Sequence, residues 1–202
     1  MKVALIGATG RAGSPILREL ARRGHQITAI VRNPDKVQAQ ANVTPKKGDV
    51  FDKGDLAGLL KGHDVVISAV HFLQSDPRKL IDAVKASGAK RYLVVGGAGS
   101  LEVAPGVTLV STPEFPAAYK DEATKGGEFL DLLRQEMELD WTFLSPSALF
   151  FEGPRTGTFR LGKDQLLTTE TGSSISFEDY AIALADEVEK PAHSRQRFTV
   201  GY

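Results

Sequence analysis

The stretch "LIGATGRAGSPILREL", residues 5–20, decides how the chain begins to fold. An apolar run ends at three spaced glycines, Gly7, Gly10 and Gly13, and apolar residues then return with the period of a helix. Short continuous apolar runs are typical of buried strands, and apolar residues three and four apart are typical of one helix face. The stretch therefore predicts a strand, a glycine turn and a helix in direct succession.

The rest of the chain repeats this alternation of short apolar runs and helix-period segments. Strands that alternate with helices imply parallel pairing through right-handed crossovers, and hence a sheet covered on both faces. We expect an α/β protein with a doubly wound, mostly parallel sheet (a Rossmann fold), one domain over 1–202 and a small C-terminal elaboration near 156–176. The predicted strands are 2–7, 26–32, 43–49, 64–70, 91–97, 139–145 and 196–202, and the predicted helices are 14–24, 33–40, 53–62, 76–88, about 116–137 and 176–191.

Composition excludes several classes of function. Lys plus Arg and Asp plus Glu number 25 each, and no basic run interleaves with aromatics, so neither nucleic acid nor a membrane surface is an expected partner. The chain has no cysteine, which rules out disulfides and thiolate chemistry. No stretch approaches the ~20 apolar residues of a membrane span, and a cytoplasmic location is expected.

The glycine spacing suits a phosphate-binding turn. One glycine would take the tight turn, a second would let the backbone approach a pyrophosphate, and a third would let the helix pack closely on the sheet. The phosphates would sit on the free N–H groups at the start of the helix. The sequence therefore predicts a dinucleotide site, against the alternative of a glycine turn used only for packing.

The end of the second strand bears on which dinucleotide binds. Sites that prefer NAD usually place Asp or Glu about 20 residues past the glycines, and here Arg32 stands at that place. A guanidinium can bind a 2′-phosphate that a carboxylate would repel. We expect NADP(H) over NAD(H), with Arg11 near the same phosphate, unless both arginines are solvated surface residues.

Two further segments fall at the carboxyl ends of predicted strands. Asp49 and Val50 follow the third strand and could border the adenine, or Asp49 could be a turn residue. Ala69 and Val70 follow the fourth strand, where small residues would let a cofactor pass over the sheet edge, or could simply pack in the core.

Taken in order, the segments GATGRAG, VRNP, GDV, ISAV, RYLVVGGAGSL and DWTFLSPSALF resemble the atypical short-chain dehydrogenase/reductase superfamily. The similarity is to its NmrA-like branch with NADH-flavin reductases and, more distantly, to flavin/biliverdin-IXβ reductases. It implies that residues 7–12 (Gly7, Ala8, Thr9, Gly10, Arg11 and Ala12) cradle the pyrophosphate and that Arg32 binds the 2′-phosphate. It also implies that residues 97–100, starting at Gly97, and residues 145–146, ending at Pro146, lie near the nicotinamide.

One departure from that superfamily concerns its Tyr-x-x-x-Lys proton donor. Tyr119 stands near the right place, but four residues later the chain has Ala123. Lys120 and Lys125 would point roughly 100° and 120° away from Tyr119 on an ideal helix. Carbonyl reduction or sugar epimerisation through that pair is therefore unsupported.

Hydride transfer to a flavin needs little beyond binding and orientation, because the cofactor carries the reactivity. Three residues are candidate polar helpers at the catalytic site: Ser100, Tyr119 and His71. The other histidines show no ligand spacing, so no metal site is predicted. The apolar "ALFF", residues 148–151, could wall a planar acceptor or pack in the core.

Two functions follow from these observations. The first is an NADPH-dependent reductase of a small-molecule acceptor. That acceptor would be FMN or FAD, or else a quinone or a tetrapyrrole-like planar molecule. The second is a non-catalytic NADP(H)-sensing regulator, which would separate NADP⁺ from NADPH by affinity. The sequence leaves monomer and homodimer both open.

Overall fold

From β1 to β5, strands alternate with helical segments as the hydrophobic pattern predicts. The computed structural model describes residues 1–202, apart from the side chain of Lys53. The strands of this described chain are β1 Lys2–Ile6, β2 Gln26–Val31, β3 Val43–Lys47, β4 Val65–Ser68, β5 Arg91–Val95, β6 Glu102–Ala104, β7 Val107–Thr108, β8 Asp140–Pro146, β9 Leu149–Phe151, β10 Arg160–Gly162, β11 Ser174–Ser176 and β12 Gln196–Gly201. Its α-helices are α1 Gly13–Arg22, α2 Lys53–Leu60, α3 Pro77–Ser87, α4 Ala117–Gln135 and α5 Phe177–Glu189.

Eight strands form the central sheet, in the order β10-β12-β8-β5-β4-β1-β2-β3. Every neighbouring pair is parallel except β10 with β12. The strand order reverses between β1 and β4, and in open α/β sheets such a reversal leaves a crevice at the carboxyl ends of the strands. The predicted fold class, a doubly wound and mostly parallel sheet, is confirmed.

Helices cover both faces of the sheet because the strands are apolar on both sides. In β1, Val3 and Leu5 pack into the core under α1 and α5. Ala4 and Ile6 point to the opposite face, into the core under α2, α3 and α4. Among the residues described, no helix is both long and apolar enough to cross a membrane.

The segment after β2 departs from the sequence prediction. Residues 33–40 were expected to form a short helix, but only the 3₁₀ turn Pro34–Lys36 forms. Its start is as predicted, because the Asn33 side chain accepts a hydrogen bond from Asp35 N. The turn has no buried residue. A short helix needs an apolar face to pack, since its own nucleation is unfavourable.

The segments beyond β5 and β8 carry structure that the sequence did not predict. The loop expected over about 97–116 contains the antiparallel hairpin of β6 and β7. Beyond β8, the strand β9 pairs with β11 in a small, separate parallel sheet, and of the two only β11 lies in the predicted elaboration near 156–176. The last helix begins as predicted, since Ser176 Oγ accepts from Asp179 N at 3.0 Å.

Candidate functional site

The glycine turn meets the end of β4 at the carboxyl edge of the sheet. Ala69 N donates to Ile6 O at 2.9 Å, which ties the two chain segments together. A Cβ added to Gly7 would lie within 3.0 Å of Ala69 O and 3.1 Å from Val70 Cγ1. The structure therefore brings together the turn and the two small residues that were predicted to line the cofactor path.

Two of the three glycines are required by the geometry of the turn. Gly7 has φ +82°, a left-handed conformation that favours glycine. A Cβ on Gly13 would collide with the backbone of Gly7. Gly10 closes the turn, since its N–H donates to Gly7 O at 3.0 Å and its carbonyl accepts from Ser14 N at 2.9 Å.

The turn leaves backbone donors at the start of α1. Within the described part of the chain, no acceptor pairs with the amide N–H groups of Thr9, Arg11 and Ala12. The first turn of α1 contains no acidic residue, and Ala12 provides no side-chain cap. Free amides at the positive end of a helix form an anion site. The turn thus fits a pyrophosphate by its conformation and by its donors.

A cavity of about 260 Å³ lies between the glycine turn and the segment after β2. It is lined by two basic side chains, Lys36 and Arg18, which the sequence pattern did not predict as site residues. Arg32, the predicted phosphate ligand, is exposed at the end of β2 and does not line the cavity. The lining residues are Ala8, Thr9, Ser14, Leu17, Arg18, Lys36, Val37, Gln38 and Gln40.

Arg11 lies over an aromatic ring of the last helix. Its guanidinium carbon is 5.3 Å from the centre of the Phe177 ring, at cation–π distance. In this arrangement Arg11 links the glycine turn to α5.

Asp49 and Val50, which follow β3, already make contacts within the protein. Asp49 Oδ1 accepts a hydrogen bond from Phe51 N at 2.9 Å, as a turn residue does. Val50 packs against the core on the α2–α4 side of the sheet.

A buried arginine on β12, which the sequence pattern did not predict as a site residue, is hydrogen-bonded to the loop after β5. Arg197 Nη1 donates to Ser100 Oγ at 3.3 Å, and its Nε and Nη2 donate to Asp164 Oδ1 at 2.7 and 2.6 Å. Burial lowers the pKa of Arg197, although Asp164 opposes that effect. Ser100 is thus an acceptor for Arg197, and its own hydroxyl proton remains available. Gly97 follows β5, and Pro146 ends β8 at the same edge.

Tyr119 lies on α4, and the residue four positions later is Ala123. Tyr119 is 66% exposed, and the nearby Lys125 pairs with Glu128 at 2.6 Å. Ala123 approaches the loop after β5 so closely that a Cβ on Gly99 would lie 2.7 Å from the Ala123 Cβ. Helix α4 therefore packs closely against this loop at Ala123.

His71 follows β4 and has a carboxylate partner. Its Nδ1 lies 3.3 Å from Glu122 Oε1 on α4, and the imidazole is 74% exposed. The sequence contained no signal for this contact, because the two residues lie 51 positions apart.

The other histidines have structural partners. Nε2 of His25 contacts Glu189, Nε2 of His63 contacts Thr28, and Nδ1 of His193 contacts Glu187. The described residues contain no group of three or more His, Asp or Glu side chains that could hold a metal ion.

The "ALFF" segment divides between surface and core. Leu149 is 59% exposed, whereas the Phe150 ring packs against Phe177 and Tyr180 with centroids 4.4 and 4.7 Å apart. Leu149 is therefore the large residue of this segment that faces outward.

Known proteins resemble this chain over its whole length. The uncharacterised protein YwnB of Bacillus subtilis (strain 168) is 46% identical over 211 residues, covering 99% of this chain and 98% of that protein. A candidate epimerase from Bacteroides thetaiotaomicron superposes with a TM-score of 0.95 at 43% identity, covering 100% and 96% of the two chains. A candidate NADH-flavin reductase from Streptococcus pneumoniae superposes with a TM-score of 0.85 at 40% identity, covering 100% and 99%.

The similarity extends to the family that the sequence motifs suggested. A family model described as NAD(P)H-binding matches residues 7–191, from the glycine turn to just past α5. That match supports a nicotinamide cofactor for the turn described above. By fold, by the geometry of this turn and by this match, the chain belongs to the NAD(P)H-binding family.

Proposed function

We propose that this protein is an NADPH-dependent reductase that acts on a planar conjugated acceptor, such as free FMN or FAD or a quinone. The observation that carries the proposal is the set of free amides at Thr9, Arg11 and Ala12. They lie beside a cavity that contains Lys36 and Arg18. Free amides suit a pyrophosphate and basic side chains suit a further phosphate.

The preference for NADPH rests on charge. Arg32 and Lys36 form no ion pair with any other described residue, so both charges are available to a ligand. Arg18, in contrast, forms an ion pair with Glu178 and donates a hydrogen bond to Ser14 Oγ. No carboxylate lines the cavity. A 2′-phosphate would therefore meet positive charge, whereas an NAD site would be expected to offer a carboxylate to the ribose.

The proposed type of acceptor rests on the side chains near the carboxyl ends of the strands. Tyr119 has no lysine partner four residues on, which argues against the epimerase chemistry suggested for the Bacteroides relative. When bound, a reduced nicotinamide supplies hydride, and a conjugated ring can accept it with little help from the protein. Exposed apolar side chains lie on the hairpin that follows β5 and on the strand that follows β8, namely Val103, Val107 and Leu149. Such side chains suit contact with a flat apolar ring. The similarity to the candidate NADH-flavin reductase supports the same choice.

Steady-state oxidation of NADPH with FMN as the acceptor tests the proposal, with NADH run under the same conditions. We expect turnover that is faster with NADPH at subsaturating cofactor, and NADPH binding that can be followed separately by its fluorescence. Tight NADPH binding without turnover on FMN, FAD or menadione would contradict the proposal. That result would favour the regulator that senses NADP(H), which should then bind NADP⁺ and NADPH with different affinities.

A further inference from the structure

A histidine–carboxylate pair lies at the carboxyl edge where the usual tyrosine–lysine pair is missing. The carboxylate belongs to Glu122, one helical turn beyond Tyr119 on α4. Its Oε1 lies 3.3 Å from His71 Nδ1. The opposite ring nitrogen, Nε2, belongs to an imidazole that is 74% exposed, and water can therefore reach it.

Glu122 is held in place by more than the histidine. Its Oε1 accepts from Phe72 N at 2.7 Å and its Oε2 accepts from Leu73 N at 2.9 Å. The Phe72 ring packs against Phe129 and Phe143, with centroids 6.1 and 6.4 Å away. Two backbone amides and the histidine therefore hold this carboxylate in a fixed position.

The pair lies next to the region where strand ends meet. His71 comes three residues after β4, and the ring of the adjacent Phe72 lies 3.6 Å from where a Cβ on Gly97 would stand. Gly97 follows β5. In doubly wound sheets the ligand binds in the crevice at these carboxyl ends.

Few other charged groups surround His71. On α4, Tyr119 is exposed and Lys125 is paired with Glu128. On α3, the Asp76 carboxylate caps the helix through Arg78 N. Among the described residues, the Glu122 carboxylate is thus the acidic side chain that contacts the imidazole.

We propose that His71 donates the proton that the acceptor needs, and that Glu122 is its positioning residue. This inference rests on the proposed reductase function. The acceptor gains two electrons and one hydrogen as hydride, and a neutral product needs one proton more. That proton leaves His71 Nε2 for a carbonyl oxygen or ring nitrogen of the acceptor, and the imidazole regains a proton from water. Glu122, which accepts from Nδ1–H, fixes the neutral tautomer that remains.

The test uses the full-length protein with NADPH and menadione. A general acid contributes typically 100- to 10,000-fold, so His71→Gln should lower kcat by about 100-fold and leave the Kd for NADPH unchanged. Added imidazole should restore turnover to His71→Ala, since a small acid can occupy the space. In wild type the rate should depend on the protonation of His71, and His71→Gln should lose that dependence on pH.

A second readout does not depend on turnover. The ¹⁵N shifts of the His71 ring report its tautomer, and we expect the Nδ1–H form in wild type and a mixture in Glu122→Ala. Glu128→Gln, on the same helix and paired only with Lys125, is the matched control and should change neither result.

The outcomes separate the two proposals. Turnover of His71→Gln within twofold of wild type, or failure of imidazole to rescue His71→Ala, overturns the role of His71 and leaves the reductase intact. An Nδ1–H fraction that is equal in wild type and Glu122→Ala overturns the role of Glu122. Absence of turnover in wild type overturns the reductase function and the proton donor with it.

Discussion

The carbonyl oxygen of Gly7 occupies the space where a Cβ on Gly13 would stand, so that residue 13 has no room for a side chain. This close approach places the first turn of α1 directly on the glycine turn, where the amides of Thr9, Arg11 and Ala12 are free. The packing of the helix and the proposed binding of phosphate therefore depend on the same pair of glycines.

Gly13→Ala should weaken both folding and cofactor binding. The new methyl group would meet the backbone atoms of Gly7 and Ala8, which cannot move without distorting the turn. We expect a loss of about 1–3 kcal/mol in the free energy of unfolding, as for other overpacked sites. Urea denaturation measures this loss, and fluorescence titration measures the Kd for NADPH.

Gly58→Ala is the matched control, because a Cβ at this exposed position of α2 meets nothing within 4 Å. It should stabilise the protein by about 0.5–1 kcal/mol, since alanine favours helix. Equal effects of the two substitutions on the Kd for NADPH would contradict the role assigned to the turn.

Lys36→Ala and Arg32→Ala should each reduce the preference for NADPH over NADH. A hydrogen bond to a charged group contributes about 1.5–3 kcal/mol, so each change should raise the Kd for NADPH roughly 10- to 100-fold. The Kd for NADH should change little, because NADH carries no 2′-phosphate. Calorimetric or fluorescence titration with both cofactors gives the two constants.

Lys90→Ala serves as the control for these two variants. Lys90 is exposed and precedes β5, at the opposite edge of the sheet from the glycine turn. An unchanged ratio of the two Kd values in Lys36→Ala, with a changed ratio in Arg32→Ala, would assign the phosphate to Arg32 alone.

Arg197→Met should loosen the loop after β5. The change removes the donor to Ser100 Oγ and to the buried Ser145 Oγ, which lies 3.5 Å from Nη1. We expect a loss of about 1–3 kcal/mol in the free energy of unfolding, and faster hydrogen exchange across residues 97–102. Arg134→Met removes an exposed guanidinium from the same carboxylate, Asp164, and should cost less than about 0.5 kcal/mol. Similar exchange rates in the two variants would argue against Arg197 as the anchor of the loop.

Local pattern was enough to predict the sheet but not the contacts around the site. The parallel pairing and the doubly wound sheet follow from alternating apolar periods and the handedness of crossovers, and the glycine turn follows from spacing alone. The hairpin of β6 and β7 escaped prediction because its strands are short and mostly exposed. Such strands carry little apolar pattern.

The missed site residues are all defined by distant contacts. Lys36 follows Arg32 by four residues, and the basic residue there could have been noted, but the cavity that it lines depends on how the 3₁₀ turn faces α1. Glu122 with His71 and Arg197 with Ser100 join segments 51 and 97 positions apart. Periodicity within a single segment contains no information on such pairs.

Asp179→Asn should destabilise the protein in a way that depends on pH. Burial alone would raise the pKa of this fully buried carboxyl, but hydrogen bonds from Thr156, Gly157 and Tyr202 outweigh it and lower the pKa below its usual range. A pKa that is lower in the folded state contributes stability above the unfolded-state pKa of about 3.9, and that contribution is lost as the pH falls through the folded value. We therefore expect the Asp179→Asn substitution to cost about 1–3 kcal/mol at pH 7, with a smaller difference from wild type below about pH 4. Urea denaturation at pH 7 and below about pH 4 measures this difference in the free energy of unfolding. The control is Asp131→Asn, at an exposed carboxylate on α4, which should shift neither denaturation midpoint appreciably. A difference between Asp179→Asn and wild type that is the same at both pH values would contradict the argument.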